Sequence, residues 1–94
     1  MVFCKISMLK VACIPAFNEE HIIFNVVSEC KEYVDKVIVC DDGSNDSTYE
    51  LAKKAGAVVL RHDKNLGKGA ALKSLFKYCR EINADIVVTI DGDG

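Results

Sequence analysis

Four short runs of β-branched and aliphatic residues, separated by stretches of helical periodicity, constrain this chain more than any other feature. The runs are Leu9–Ile14, Val37–Cys40, Ala57–Leu60 and Ile86–Ile90. Each is nearly continuous in apolar residues, so each reads as a strand buried on both faces. Between them, apolar residues recur at helical spacing. One face holds Ile22, Ile23, Val26, Val27, Cys30 and Val34. A weaker one holds Thr48, Leu51, Ala52 and Ala55, and a third holds Leu72, Leu75, Phe76 and Cys79. Asn18, followed by Glu19 and Glu20, suits the start of the first helix. Ser44 or Asp46 can cap the second helix, and Gly56 and Asn83 suit left-handed helix ends. The resulting order, βαβαβαβ with short connections, calls for an α/β fold: a parallel four-stranded sheet, right-handed crossovers and helices on both faces.

Composition narrows the classes. With 94 residues, 50% hydrophobic and 28% charged, the chain is one domain and neither disordered nor fibrous. Twelve basic against fourteen acidic residues give a net charge of -2, which argues against a nucleic-acid binder. No apolar run approaches the roughly 18 residues of a membrane span. Met1–Lys10 lacks the apolar centre and cleavage site of a secretory signal. Five cysteines without a C-x-x-C pair read as reduced, buried thiols of a cytoplasmic protein. His21 and His62 add little support for a His/Cys metal site. The chain stops at Asp91-Gly92-Asp93-Gly94, directly after its last strand, and is expected to be a piece of something longer.

In an open parallel sheet, ligands bind beyond the carboxyl ends of the strands. That rim carries Pro15-Ala16-Phe17-Asn18-Glu19-Glu20, Asp41-Asp42-Gly43-Ser44-Asn45-Asp46, His62 to Gly69, and Asp91-Gly92-Asp93-Gly94. The opposite edge, Glu32–Lys36 and Glu81–Asp85, reads as ordinary solvated turns. Chemistry after the first and fourth strands places those two strands side by side at the switch point, which predicts the spatial order 3-2-1-4.

Asp91 and Asp93 can point at one ion, with oxygen ligands suited to Mg²⁺ or Mn²⁺ rather than zinc. The plain alternative is a solvated acidic turn, about an even choice for so short a motif. Asp42, at the end of an apolar strand, can accept hydrogen bonds from a base or a ribose, while Asp46 reads as structural. Phe17 can stack on a base, although packing against the first helix is the commoner role for such a residue. Gly67-Lys68-Gly69 opens the third helix, where a cation and free N–H groups suit a diphosphate. It matches neither the P-loop nor the dinucleotide fingerprint.

Taken together, four stretches resemble the nucleotide-sugar-binding half of the family 2 glycosyltransferases, which have the GT-A fold. They are Ile14 to Glu20, Val39 to Thr48, Asn65 to Ala71 and Ile90 to Gly94, in family order and with family-like spacing. The Asn-x-Gly-Lys-Gly-Ala stretch looks most like the dolichyl- or polyprenyl-phosphate mannosyl- and glucosyltransferases. The resemblance implies a Rossmann-like half of a GT-A fold spanning residues 1–94. It implies that Pro15, Phe17 and Glu19 line the nucleotide pocket, that Asp42 holds the base or ribose, and that Lys68 reaches the diphosphate. It further implies that Asp91 and Asp93 bind a Mg²⁺ or Mn²⁺ ion bridging to the diphosphate. Phe17 stands where tyrosine is commoner.

The expected activity is metal-dependent sugar transfer from UDP or GDP to an acceptor such as a polyprenyl phosphate. The partner is a nucleoside-diphosphate sugar, with a lipid-phosphate acceptor reached through missing segments. No nucleic acid and no membrane span belong to this chain. The catalytic residues, expected in the absent acceptor half, stay unassigned. Two other classes remain: a non-catalytic nucleotide- or metal-binding module, and a haloacid-dehalogenase-type phosphatase using the Asp91-Gly92-Asp93-Gly94 loop. The late position of that loop counts against the phosphatase.

Overall fold

A computed structural model describes residues 8–91 of the chain. Asp93 and Cys4 lie outside the described residues. The elements run β1 (Lys10–Ala16), α1 (Ile23–Cys30), β2 (Lys36–Asp41), α2 (Thr48–Lys54), β3 (Val58–Arg61), α3 (Lys68–Glu81) and β4 (Ile86–Thr89). The four strands form one parallel sheet in the order β3-β2-β1-β4, as the loop chemistry predicts.

Alternation along the two central strands divides the core in two. Ala12, Ile14 and Ala16 of β1 and Val37 and Val39 of β2 pack with Ile23, Val27 and Cys30 of α1 and Ala52 of α2. Val11 and Cys13 of β1 and Ile38 and Cys40 of β2 turn the other way and pack on Ala71, Leu75 and Cys79 of α3. The central strands are therefore apolar at every position because each face has its own helix layer.

The outer strands depart from the expectation of burial on both faces. All four residues of β4 are exposed, and β3 is only half-buried at Val59 and Leu60. The cause is position: each pairs on one edge only, and three helices cover the middle of the sheet. Phe76 also departs, standing 43% exposed while Ala71 takes its place on the buried stripe of α3. The i, i+4 spacing of Ala71, Leu75 and Cys79 points one narrow face at the sheet, and Phe76 falls beside it.

β1 runs two residues further than its apolar run suggests, through Pro15. Its pairing with β4 ends at Cys13, before the residue that has no N–H to donate. Gly56 and Asn83 have φ of +103° and +58°, the left-handed ends expected of α2 and α3. The opposite edge of the sheet is more than solvated turns. Asp35 Oδ2 accepts the Lys10 N–H at 2.9 Å and Asp85 Oδ2 accepts the Leu9 N–H at 2.6 Å, so two carboxylates hold the start of β1.

Candidate functional site

The loops after β1 and β2 are joined by polar side chains from the Asp41–Thr48 segment. Ser44 Oγ accepts the Asn18 N–H at 2.8 Å, and Asn18 Oδ1 accepts the Asn45 N–H at 2.9 Å. Thr48 Oγ1 accepts the Glu19 N–H at 2.8 Å, and Asp46 Oδ2 accepts the Glu20 N–H at 3.3 Å. Asn18 is therefore not the cap of α1. It has φ +52°, a conformation asparagine tolerates better than most residues, and it serves as a clasp between loops. α1 begins later, at Ile23, with no side-chain cap. Ser44 likewise serves the first loop rather than α2.

Asp46 accepts the Thr48 N–H at 3.0 Å and the Thr48 hydroxyl, so its role is structural, as expected. Burial works to raise its carboxyl, but the hydrogen bonds from Thr48 and Glu20 outweigh this and hold it below the ordinary carboxylate range.

Asp42 is almost fully buried, yet it reaches the cavity at the rim. Its Oδ1 accepts from His62 Nδ1 at 2.7 Å and from the Leu66 N–H at 2.9 Å, and its Oδ2 accepts the Gly67 N–H at 2.8 Å. Burial again works to raise the carboxyl. The hydrogen bonds from His62, Leu66 and Gly67 outweigh it, leaving Asp42 ionised well into the acid range. Gly43, at φ +76°, completes the junction: a Cβ there would collide with the backbone of Lys64 and Asn65.

Neighbouring Asp41 is fully buried. Its Oδ1 accepts the Ser44 N–H at 3.0 Å, and among the described residues its Oδ2 meets the Arg61 Nε at 3.7 Å. That guanidinium lies over the Tyr49 ring, 4.6 Å from its centre.

A cavity of about 280 Å³ opens at this rim. Pro15, Phe17, Glu19, Asp42, Lys68 and Asp91 all line it, which brings together six of the seven residues singled out from the sequence. The seventh, Asp93, lies outside the described residues. Phe17 lines the cavity and is 40% exposed.

Lys68 Nζ stands 2.5 Å from Asp91 Oδ1, and both side chains are more than half exposed. An ion pair in such a setting contributes about 0–1 kcal/mol and rearranges readily. Among the described residues no group of three or more His, Cys, Asp or Glu side chains converges as a metal cage. The cavity lining offers hard oxygen donors, with Asp91 at its mouth, and no soft donor. Those residues fit a hard divalent cation that takes few protein ligands and completes its shell from a bound phosphate and water.

Ala16, Asn65, Gly67 and Ala71 also line the cavity, and all four fall in the rim or resemblance stretches read from the sequence; His62 as the partner of Asp42 is not anticipated. The signal for His62 lies in the strand register. Asp41 pairs with Arg61 across β2 and β3, so the next residues of the two strands, Asp42 and His62, leave the sheet side by side.

The model of the glycosyl transferase family 2 matches residues 11–94, nearly the whole chain. The chain belongs to glycosyltransferase family 2. It is 35% identical over 99 residues to the UDP-N-acetylglucosamine–dolichyl-phosphate N-acetylglucosaminyltransferase of Methanococcus voltae, covering 86% of this chain and 39% of that one. It is 32% identical over 92 residues to an undecaprenyl-phosphate 4-deoxy-4-formamido-L-arabinose transferase of Pseudomonas fluorescens, covering 85% of this chain and 26% of that one. Among solved structures it resembles glucosyl-3-phosphoglycerate synthase of Mycobacterium tuberculosis bound to Mn²⁺, UDP-glucose and phosphoglyceric acid. The TM-score is 0.73 at 33% identity, over 90% of this chain and 33% of that one. The same synthase has also been solved with Mg²⁺ and UDP.

This family 2 chain thus spans between about a quarter and two fifths of the length of these relatives. Family membership and the GT-A neighbours displace the phosphatase reading of the Asp91-Gly92-Asp93-Gly94 loop. No helix of the described residues is long and apolar enough to cross a membrane.

Proposed function

We propose that this chain is the donor-binding part of a sugar transferase. The enzyme takes a sugar from a UDP- or GDP-sugar and passes it to an acceptor such as a polyprenyl phosphate, with Mg²⁺ or Mn²⁺ as cofactor. The observation that carries the reading is the convergence of Pro15, Phe17, Glu19, Asp42, Lys68 and Asp91 on one cavity. The relatives that act on dolichyl and undecaprenyl phosphates support the acceptor class, and the UDP-glucose complex supports the donor class.

In this reading the exposed face of Phe17 stacks on the base. The Asp42 carboxylate, ionised and able only to accept, takes a hydrogen bond from a base N–H or a ribose hydroxyl. Lys68, at the first turn of α3, adds its charge to the N–H groups of a helix N-terminus and holds the diphosphate. Asp91 and Asp93 would hold the divalent ion, which when bound supplies Lewis-acid stabilisation of the departing nucleoside diphosphate. Lys68 then exchanges one anionic partner, Asp91, for another, the diphosphate. Buried free thiols at Cys13, Cys30, Cys40 and Cys79 suit a reducing, cytoplasmic setting.

The cavity volume of about 280 Å³ falls just below the roughly 300–1,000 Å³ usual for a whole small-molecule site. That favours a second reading for the isolated chain, as a module that binds the donor without turning it over. The test is calorimetric titration of Mn²⁺ into the chain with and without UDP or GDP, for the wild type and for Asp91→Ala combined with Asp93→Ala. Metal and nucleotide should each tighten the other's binding by the same factor, because binding linkage is reciprocal. Coupling that survives the double substitution, beyond the metal's affinity for free nucleotide, would put the metal elsewhere. Sugar transfer by the isolated chain on adding a polyprenyl phosphate would overturn the module reading.

A further inference from the structure

We propose that His62 is a positioning residue of the donor site: it holds Asp42 through one ring nitrogen and is held through the other by Ser74 of α3. The proposal deepens the donor-binding reading and rests on it for the role of Asp42. His62 itself does not line the donor cavity. It belongs instead to a separate groove, where it stands with Arg61, Ser74, Lys77 and Tyr78. It therefore acts on a ligand only through Asp42.

The atoms define which proton sits where. Asp42 is ionised, so it can only accept, and at 2.7 Å His62 Nδ1 must be the donor. Nε2 of the neutral ring is then left as a lone pair, and Ser74 Oγ stands 2.8 Å from it. Ser74 lies in the middle of α3, where a serine hydroxyl commonly turns back to the preceding helical turn. Here it meets the histidine instead, and its O–H donates to Nε2. Should the ring gain a proton, the same hydroxyl can turn and accept, so the chain Ser74–His62–Asp42 keeps its geometry in either state. The Cys40 thiol, 3.6 Å from Nε2, is the other polar group at this nitrogen.

The effect on the site follows from what else Asp42 holds. Its other two hydrogen bonds come from Leu66 and Gly67, the residues that lead into α3, and Lys68 comes next in the chain. An Asp42 free to rotate would lose its aim at the ligand and release the segment that presents Lys68. His62 and Ser74 tie that carboxylate to the body of α3, so the acceptor and the cation are set relative to one another by a single chain of hydrogen bonds.

The test uses the 94-residue chain. Nitrogen-15 NMR of the wild type should show His62 with its proton on Nδ1, and Ser74→Ala should shift the Nε2 resonance. His62→Ala should weaken UDP binding about tenfold, the scale of one hydrogen bond to a charged group. His62→Asn should recover most of that loss, because its amide nitrogen sits near the place of Nδ1. In an Asp42→Ala background, His62→Ala should cause no further loss. A ring carrying its proton on Nε2, equal losses for His62→Ala and His62→Asn, or full additivity with Asp42→Ala would overturn the proposal. If the wild type binds no UDP, the donor reading fails. Hydrogen exchange at the Leu66 and Gly67 amides then decides on His62, with faster exchange in His62→Ala upholding its hold on Asp42 and unchanged exchange refuting it.

Discussion

The two sides of the site are built to opposite standards. On the β2 side, the carboxylates of Asp41, Asp42 and Asp46 are wholly or partly buried, and seven side-chain hydrogen bonds tie this segment to loops 18–20 and 62–67. On the β4 side, Asp91 is exposed and meets Lys68, itself exposed. The difference shows how the proposed donor site would divide its work. The part that would recognise the nucleoside is made before the ligand arrives, at the expense of stability if disturbed. The part that would meet the diphosphate and metal is left adjustable, because its ligands bring most of the coordinating atoms.

That contrast breaks most visibly at Asp42. Asp42→Ala leaves three donors, two of them backbone N–H groups, without their acceptor. It should destabilise the chain by roughly 3–4 kcal/mol in urea unfolding and weaken UDP and GDP binding in calorimetry. Wild-type stability and affinity in that variant would sink the idea that the β2 side is prebuilt.

Gly43→Ala comes next. Its left-handed φ and the contact with Lys64 and Asn65 should cost roughly 2–3 kcal/mol, with the 62–67 loop displaced and nucleotide binding weakened. A thermal midpoint unchanged from wild type would show that the loop yields freely.

Acid should separate the two sides as well. Asp42 and Asp46 are held below the ordinary carboxylate range when folded. Groups of that kind contribute stability that is fully present above roughly pH 4, where the unfolded carboxylates ionise, and lost as pH falls through the folded values. Circular dichroism on acidification should show falling thermal stability below that point, and a smaller fall in Asp46→Asn. A stability that stays level from neutrality down to about pH 2 would contradict the assigned hydrogen bonds.

Smallest of all is the effect of Asp91→Ala on the fold. An exposed ion pair contributes about 0–1 kcal/mol, so unfolding should change by less than about 0.5 kcal/mol while the metal dependence of UDP binding is lost. A large loss of stability would mean that the β4 side is as rigidly built as the β2 side.

Much of this molecule is legible residue by residue. The uninterrupted apolar runs at Val11–Ile14 and Val37–Cys40 suit central strands, because a strand covered on both faces buries every position. The rim position of Asp42, Lys68 and Asp91 follows from the rule that open sheets bind at the carboxyl ends of their strands. Asn18 misleads because asparagine before two glutamates is equally a helix cap and a left-handed clasp. The choice depends on Ser44 and Asn45, some 26 residues away in sequence. Ile86, Val87 and Val88 mislead because hydropathy records that a residue prefers burial, not whether a neighbour exists to bury it.

The amino-acid sequence by itself determined the order of elements, the direction of the strands and the identity of the rim residues. Those properties rest on local propensity, on periodicity and on the handedness of crossovers, all of which act over a few residues or one βαβ unit. Only the tertiary structure decided which polar groups build the site and which await a ligand. Aspartates 41, 42, 46 and 91 look alike in sequence. Three are held by amides, a histidine and an arginine brought from distant segments, and the fourth faces solvent and a lysine. A carboxylate's role is set by the donors that surround it and the water it has lost, and neither is a property of the residue alone.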